Sequence, residues 1–193
     1  PIFETLVSVK QIIKSYDTSR EEFSRHIHNF FSRLHKITKI GSLILIDNLG
    51  VPEILFLSRK SNVRYSLFII NPTGSTKSWK SAVGVETMSE AAKRYGMHLF
   101  NLSDKQVHFI EMNVAKRHSI LDIERLIDYV HNNIAFRIYN FVADLEKPIL
   151  IVSDHGYDVI KLGENFLLCH GSGCFKYSFK PIFSKISSII VIE

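Results

Sequence analysis

Cysteine is scarce: only Cys169 and Cys174 occur among 193 residues, and they form neither a C-x-x-C pair nor half of a zinc ribbon. No disulfide framework is therefore expected, and a reducing cytoplasm is the default compartment. Long apolar runs are missing as well; the longest fall far short of a bilayer span, and no signal-peptide pattern is present. There is no internal repeat, low-complexity tract or linker, so one domain is expected, with a helical segment over residues 1–40. The chain begins at Pro1 without a methionine, as expected of a chain trimmed by one residue or a piece of a longer parent chain with further domains. Hydrophobic content of 46% with 22% charged residues excludes intrinsic disorder.

Acidic residues are absent from Ile54 to Val85, where Arg59, Lys60, Arg64, Lys77 and Lys80 stand instead. With a net charge of +5, this predicts a positive field and an anionic partner, either a phosphorylated substrate or nucleic acid. Tyr65, Phe68 and Trp79 interrupt the stretch too irregularly to make the stacking platform of a single-strand binder.

What is present is an alternation of strands and helices. Leu6 to Ile13 predicts a first helix, and Phe23, Ile27, Phe30, Leu34 and Ile37 mark one face of a second. His26, His28 and His35 on that helix have no matching carboxylate and read as surface residues. Apolar runs at 42–47, 65–70, 106–111, 149–152 and 189–192 predict strands, with shorter ones at 157–162 and 166–169. Helices are expected from Val51 through Leu57, from near Ser78, and over Met88–Tyr95. Ser119 and Asp122 form a capping-box pattern. It should open a long helix whose stripe is Ile120, Ile123, Ile127, Val130, Ile134, Phe141 and Leu145. The fold class is α/β: a doubly wound, mostly parallel sheet flanked by helices.

The strand ends carry the chemistry. Lys147-Pro148-Ile149-Leu150-Ile151-Val152 runs abruptly into Ser153-Asp154-His155-Gly156. The carboxyl end of a parallel strand is where open α/β sheets place ligands, and adjacent Asp and His offer an oxygen and an imidazole to one cation. Asp47, Ser75 or Thr76, and His170 stand at other strand ends. Together they supply the carboxylates, imidazoles and hydroxyl of a metal-assisted phosphoryl-transfer site.

The order of these motifs resembles the alkaline phosphatase superfamily, most of all its PglZ-type domains, over roughly Leu43 to Gly171. Leu45-Ile46-Asp47-Asn48-Leu49-Gly50 is similar to the segment with the first metal-binding Asp. Pro72-Thr73-Gly74-Ser75-Thr76 resembles the nucleophile loop, and spacing from Pro72 favours Ser75 over Thr76. Ser153-Asp154-His155-Gly156 matches the most distinctive signature, and Cys169-His170-Gly171 resembles the last metal-binding His. The resemblance implies an alkaline phosphatase-like core and a phosphatase or phosphodiesterase with two cation sites. The metal set is then Asp47, Asp154, His155, His170 and His118; zinc suits these ligands, while manganese and magnesium remain open. An Asp that precedes the second-site His in that family is missing, so Glu111 or Asn113 must substitute. That departure keeps a second class in view: a weak or inactive PglZ-type interaction module of a defence or signalling system, binding nucleic acid or a protein.

Overall fold

A computed structural model describes residues 19–34, 40–94, 107–111 and 120–193. The first expected helix, Ile37, His35, Asn113 and His118 lie outside them.

Helix α1 (Arg20–Leu34) precedes β1 (Ser42–Asp47), α2 (Val51–Lys60), β2 (Val63–Ile70), α3 (Thr76–Val83), α4 (Met88–Arg94) and β3 (Val107–Glu111). There follow β4 (Ile120–Leu121), α5 (Ile123–Asp128), a π-helical segment Tyr129–Ala135 and α6 (Phe136–Ala143). β5 (Ile149–Ser153), β6 (Asp158–Leu162), β7 (Asn165–Cys169), two short 3-10 helices and β8 (Ile186–Ile192) complete the order.

The main sheet runs β2-β8-β5-β1-β3. β1 is parallel to β3 and β5, and β8 is antiparallel to β2 and β5, so β8 alone opposes the other four. The sheet is thus mixed, with two parallel and two antiparallel pairings, and not the mostly parallel sheet expected, because β8 enters between β2 and β5 in the opposite direction. β4, β7 and β6 form a separate three-stranded antiparallel sheet.

Strand alternation divides the core into two layers. Leu43, Leu45, Leu150, Val152, Ile189 and Val191 pack against Phe23 and Ile27 of α1, Trp79, Ala82 and Val83 of α3, and Met88 and Ala91 of α4. Ile44, Ile46, Ile149, Ile151, Ile190 and Ile192 pack against Ile54 and Leu57 of α2, Ile134, and Ile138 and Val142 of α6. Both faces are covered, which is why β1, β5 and β8 are buried along their whole lengths.

Two further expectations are corrected here. The long helix over 120–145 does not form as one stripe. Ile120 and Leu121 pair with Leu167 and Phe166 as a strand, and Asp122 caps α5 by accepting from the Arg125 N–H at 2.8 Å. The Phe136 N–H then donates to the His131 carbonyl, an i to i−5 bond whose wider turn rotates the helix. Ile134, Ile138 and Val142 consequently face the core, while Ile123, Ile127 and Phe141 are exposed. Second, Cys169 and Cys174 are joined in a disulfide, because the 3-10 helix Gly171–Tyr177 turns the chain back to a Cα separation of 5.3 Å. The reducing compartment, inferred from the lack of a disulfide framework, loses that support. Among the described residues no helix is long and apolar enough to cross a membrane.

Candidate metal centre

β1 and β5 are parallel neighbours with Ile46 opposite Ser153, so Asp47 and Asp154 leave the sheet side by side at its carboxyl edge. Asn48 turns the chain at a φ of 70°. This left-handed conformation suits Asn better than most side chains. The turn aims the Asn48 N–H at Asp154 Oδ1, 2.9 Å away, and the His155 N–H donates to the same oxygen at 2.8 Å. Gly156 follows because the backbone is crowded there: a Cβ would lie 2.7 Å from the Phe183 carbonyl oxygen.

His155 Nδ1 lies 2.8 Å from the Gly156 carbonyl oxygen. A carbonyl only accepts, so Nδ1 carries a hydrogen, and Nε2 is the nitrogen that can offer a lone pair to a cation. Nε2 is 3.5 Å from Asp154 Oδ2 and 3.8 Å from Asp47 Oδ1. The three residues offer ligand atoms that all lie within 4.8 Å of one another, and all three side chains are buried. Among the described residues Asp154 Oδ2 has no hydrogen-bond partner. Burial pushes the Asp154 carboxyl up; the neighbouring His155 opposes this, and Asp47 adds to it by like-charge repulsion. Lone pairs converging without enough positive charge are what a divalent cation would relieve, so the donor set fits one. Two oxygens and one imidazole suit zinc, and the two carboxylates also accept manganese or magnesium.

The loop after β2 brings a hydroxyl to this group, and it is that of Thr76. Thr76 Oγ1 donates to Asp47 Oδ1 at 3.3 Å and lies 3.1 Å from His155 Nε2. Ser75, favoured by spacing from Pro72, is instead the N-cap of α3. Its Oγ accepts from the Ser78 N–H at 3.4 Å and bonds Thr73 Oγ1 at 2.7 Å. The physical reason is where the helix begins. With Thr76 as its first residue, the cap position turns Ser75 onto the helix end and Thr76 towards the carboxylates.

His170 follows β7 and so belongs to the second sheet, not to the edge that carries Asp47 and Asp154. Its ring nevertheless stacks on His155, with centroids 4.7 Å apart and planes 21° from parallel. It adjoins the three-residue group without being one of it. Glu111 ends β3 in register with Asp47, at the same edge.

The basic stretch is not one field. α2 runs back from the carboxyl edge, so Arg59 and Lys60 at its end, and Arg64 at the start of β2, sit at the opposite edge. Arg64 pairs there with Glu193 at 3.5 Å. Lys77 is exposed beside Thr76 in the first turn of α3.

Three polar anchors around the site escaped sequence reading. Asn71 is fully buried and bonds both the Thr76 loop and the Asp154 backbone. Asp158 accepts from the N–H groups of Ile182, Phe183 and Ser184 and from the Ser184 hydroxyl. Glu53 accepts from the Tyr157 hydroxyl at 2.6 Å. Burial lifts the Glu53 carboxyl to about 7 and the Tyr157 phenol well above its usual range. Only the turn chemistry of Asn71-Pro72 hinted at any of them.

Fold and centre together define an α/β domain with a buried carboxylate–imidazole group, and a hydroxyl against it, at the carboxyl edge of its sheet. Comparison of the chain with protein-family models, with curated proteins and with solved structures finds no match.

Proposed function

We propose that this domain is a metal-dependent phosphoric ester hydrolase whose nucleophile is Thr76. The observation that carries the reading is the Thr76 hydroxyl, which donates to Asp47 and lies 3.1 Å from His155 Nε2 at the rim of a buried three-ligand group. The motif order from Asp47 through Asp154-His155-Gly156 to His170-Gly171 supports a place in the alkaline phosphatase superfamily, near the PglZ-type domains. The parallel pairing of β1 with β3 and β5, which carry the site at their carboxyl ends, supports the same reading.

Asp47, Asp154 and His155 would hold the cation, which supplies positive charge against the phosphoryl oxygens and lowers the cost of ionising a nearby hydroxyl. Thr76 Oγ1 bonds to phosphorus as the bond to the leaving ester oxygen breaks. Asp47 Oδ1 is placed to accept the hydroxyl hydrogen, and the leaving alkoxide takes a proton from solvent. Water then cleaves the phosphothreonine, restoring the hydroxyl and releasing phosphate or a phosphomonoester.

The test is metal content of the purified protein, measured beside hydrolysis of an aryl phosphate monoester and diester by wild type, Thr76→Ala and Ser75→Ala. Metal-dependent turnover that Thr76→Ala abolishes and Ser75→Ala retains is the expected result. Bound metal without turnover of either ester would overturn the enzyme reading and favour the interaction module.

A further inference from the structure

The Thr76 hydroxyl and the Asp154 carboxylate come from loops that follow different strands, β2 and β5, which are not neighbours because β8 lies between them. Something must fix one loop against the other. Asn71, at 0% exposure, is the side chain that touches both. Its Nδ2 donates to the Ser75 carbonyl at 3.1 Å and to the Asp154 carbonyl at 3.0 Å. Its Oδ1 accepts from the N–H groups of Thr73 at 3.2 Å and Gly74 at 3.1 Å. Both hydrogens and both lone pairs of the carboxamide are thereby used. Its own N–H donates to the Lys185 carbonyl at 2.7 Å, tying the same point to the segment that leads into β8.

We infer that Asn71 is a positioning residue: its carboxamide clamps the Thr76 loop to the backbone of Asp154 and so sets the hydroxyl over the cation site. This rests on the reading of Thr76 as nucleophile, and it adds the element that determines where that hydroxyl sits. The two halves of the carboxamide have separable tasks. Oδ1 shapes the loop internally, as an Asx turn does. Nδ2 alone makes the bridge, since its two acceptors belong to the two different loops. Asn71→Asp keeps the first task and inverts the second, placing an oxygen where two carbonyl oxygens need a donor. No ligand atom of Asp47, Asp154 or His155 is touched by the exchange.

The experiment uses the full chain loaded with Mn²⁺ and labelled at threonine methyl groups, comparing wild type, Asn71→Ala and Asn71→Asp. Paramagnetic broadening of the Thr76 methyl reports its distance from the cation, with Thr87 as the internal control; Mn²⁺ affinity and aryl phosphate kinetics are measured on the same samples. In wild type the Thr76 methyl should be strongly broadened and the Thr87 methyl much less. In both variants Mn²⁺ affinity should stay within a few-fold, and broadening at Thr76 should fall while that at Thr87 does not change. kcat should drop on the order of 100-fold with KM within a few-fold, as for a misplaced reacting group. General destabilisation would not single out one methyl, and if Asn71→Ala does not fold, Asn71→Asp carries the test. Wild-type broadening in Asn71→Asp, or a wild-type Thr76 methyl that bound Mn²⁺ leaves sharp, overturns the inference. Loss of broadening in the variants of a protein that hydrolyses neither ester sustains the clamp and overturns the hydrolase reading instead.

Discussion

Exchanging Glu53 for Gln should stabilise this protein in alkali and leave it nearly unchanged in acid. Glu53 lies in the first turn of α2, wholly buried, and Oε1 takes the Tyr157 hydroxyl hydrogen at 2.6 Å. Burial is the largest influence on its carboxyl and lifts it from 4.5 to about 7, with the Tyr157 hydrogen bond opposing. The folded protein therefore keeps a proton that the unfolded chain releases between those values. Stability falls as pH rises from about 4.5 to about 7 and is level above. At about 1.4 kcal/mol for each pH unit, ionised Glu53 costs about 3 kcal/mol at pH 8. Gln keeps a neutral acceptor for Tyr157 and does not titrate. Urea unfolding followed by circular dichroism at pH 4.5 and pH 8 measures the gap between variant and wild type. It should open from near zero to about 3 kcal/mol. Tyr157→Phe removes the opposing hydrogen bond and should carry the decline to higher pH at the same slope. A gap between Glu53→Gln and wild type that does not change with pH refutes the reasoning.

Asp154→Ala should strip the bound metal, read as stoichiometry by elemental analysis, because one of two carboxylate ligands is lost; full retention makes Asp154 structural only. Thr76→Ala should lower kcat by several powers of ten with the fold intact, as expected for a lost nucleophile. Ser75→Ala should cost about 1 kcal/mol of stability by removing the cap of α3, with turnover kept near wild type. In Gly50→Ala the new Cβ meets the Tyr157 ring and comes within 2.5 Å of Glu53 Oε2. A loss of about 1–3 kcal/mol is expected by thermal melting.

The strands that frame the centre were legible because residues buried on both faces leave continuous apolar runs, as at 42–46 and 149–152. Asp47 and Asp154-His155 were legible for the same reason: polarity begins where burial by helices ends. The hydroxyl was not, since Ser75 and Thr76 differ only by where α3 starts, and one residue of helix decides which side chain faces the carboxylates. The stripe over 120–145 failed because a π segment changes the period within one apolar pattern. The division of the basic residues between two edges was not legible either, because adjacency in sequence carries no information about which edge of a sheet a helix end reaches. Pairing of Cys169 with Cys174 depends on a 3-10 turn that no short spacing rule announces.

The placement of β8 has a consequence for how the protein is made. Among the described residues β2 has β8 as its one partner in the main sheet, and Ile70 pairs with Ile186. A ribosome therefore releases β2 long before the strand that completes it, and β5 too waits for its neighbour on that side. Until residues 186–192 emerge, the nascent chain presents open strand edges that invite pairing with other chains. Closure across so long a separation also slows folding. Asn71, whose N–H bonds Lys185, sits at that same late junction. The centre at the carboxyl edge is therefore assembled only after residues 186–192 have emerged, and a chain cut short before β8 should be a client for chaperones, not a smaller folded domain.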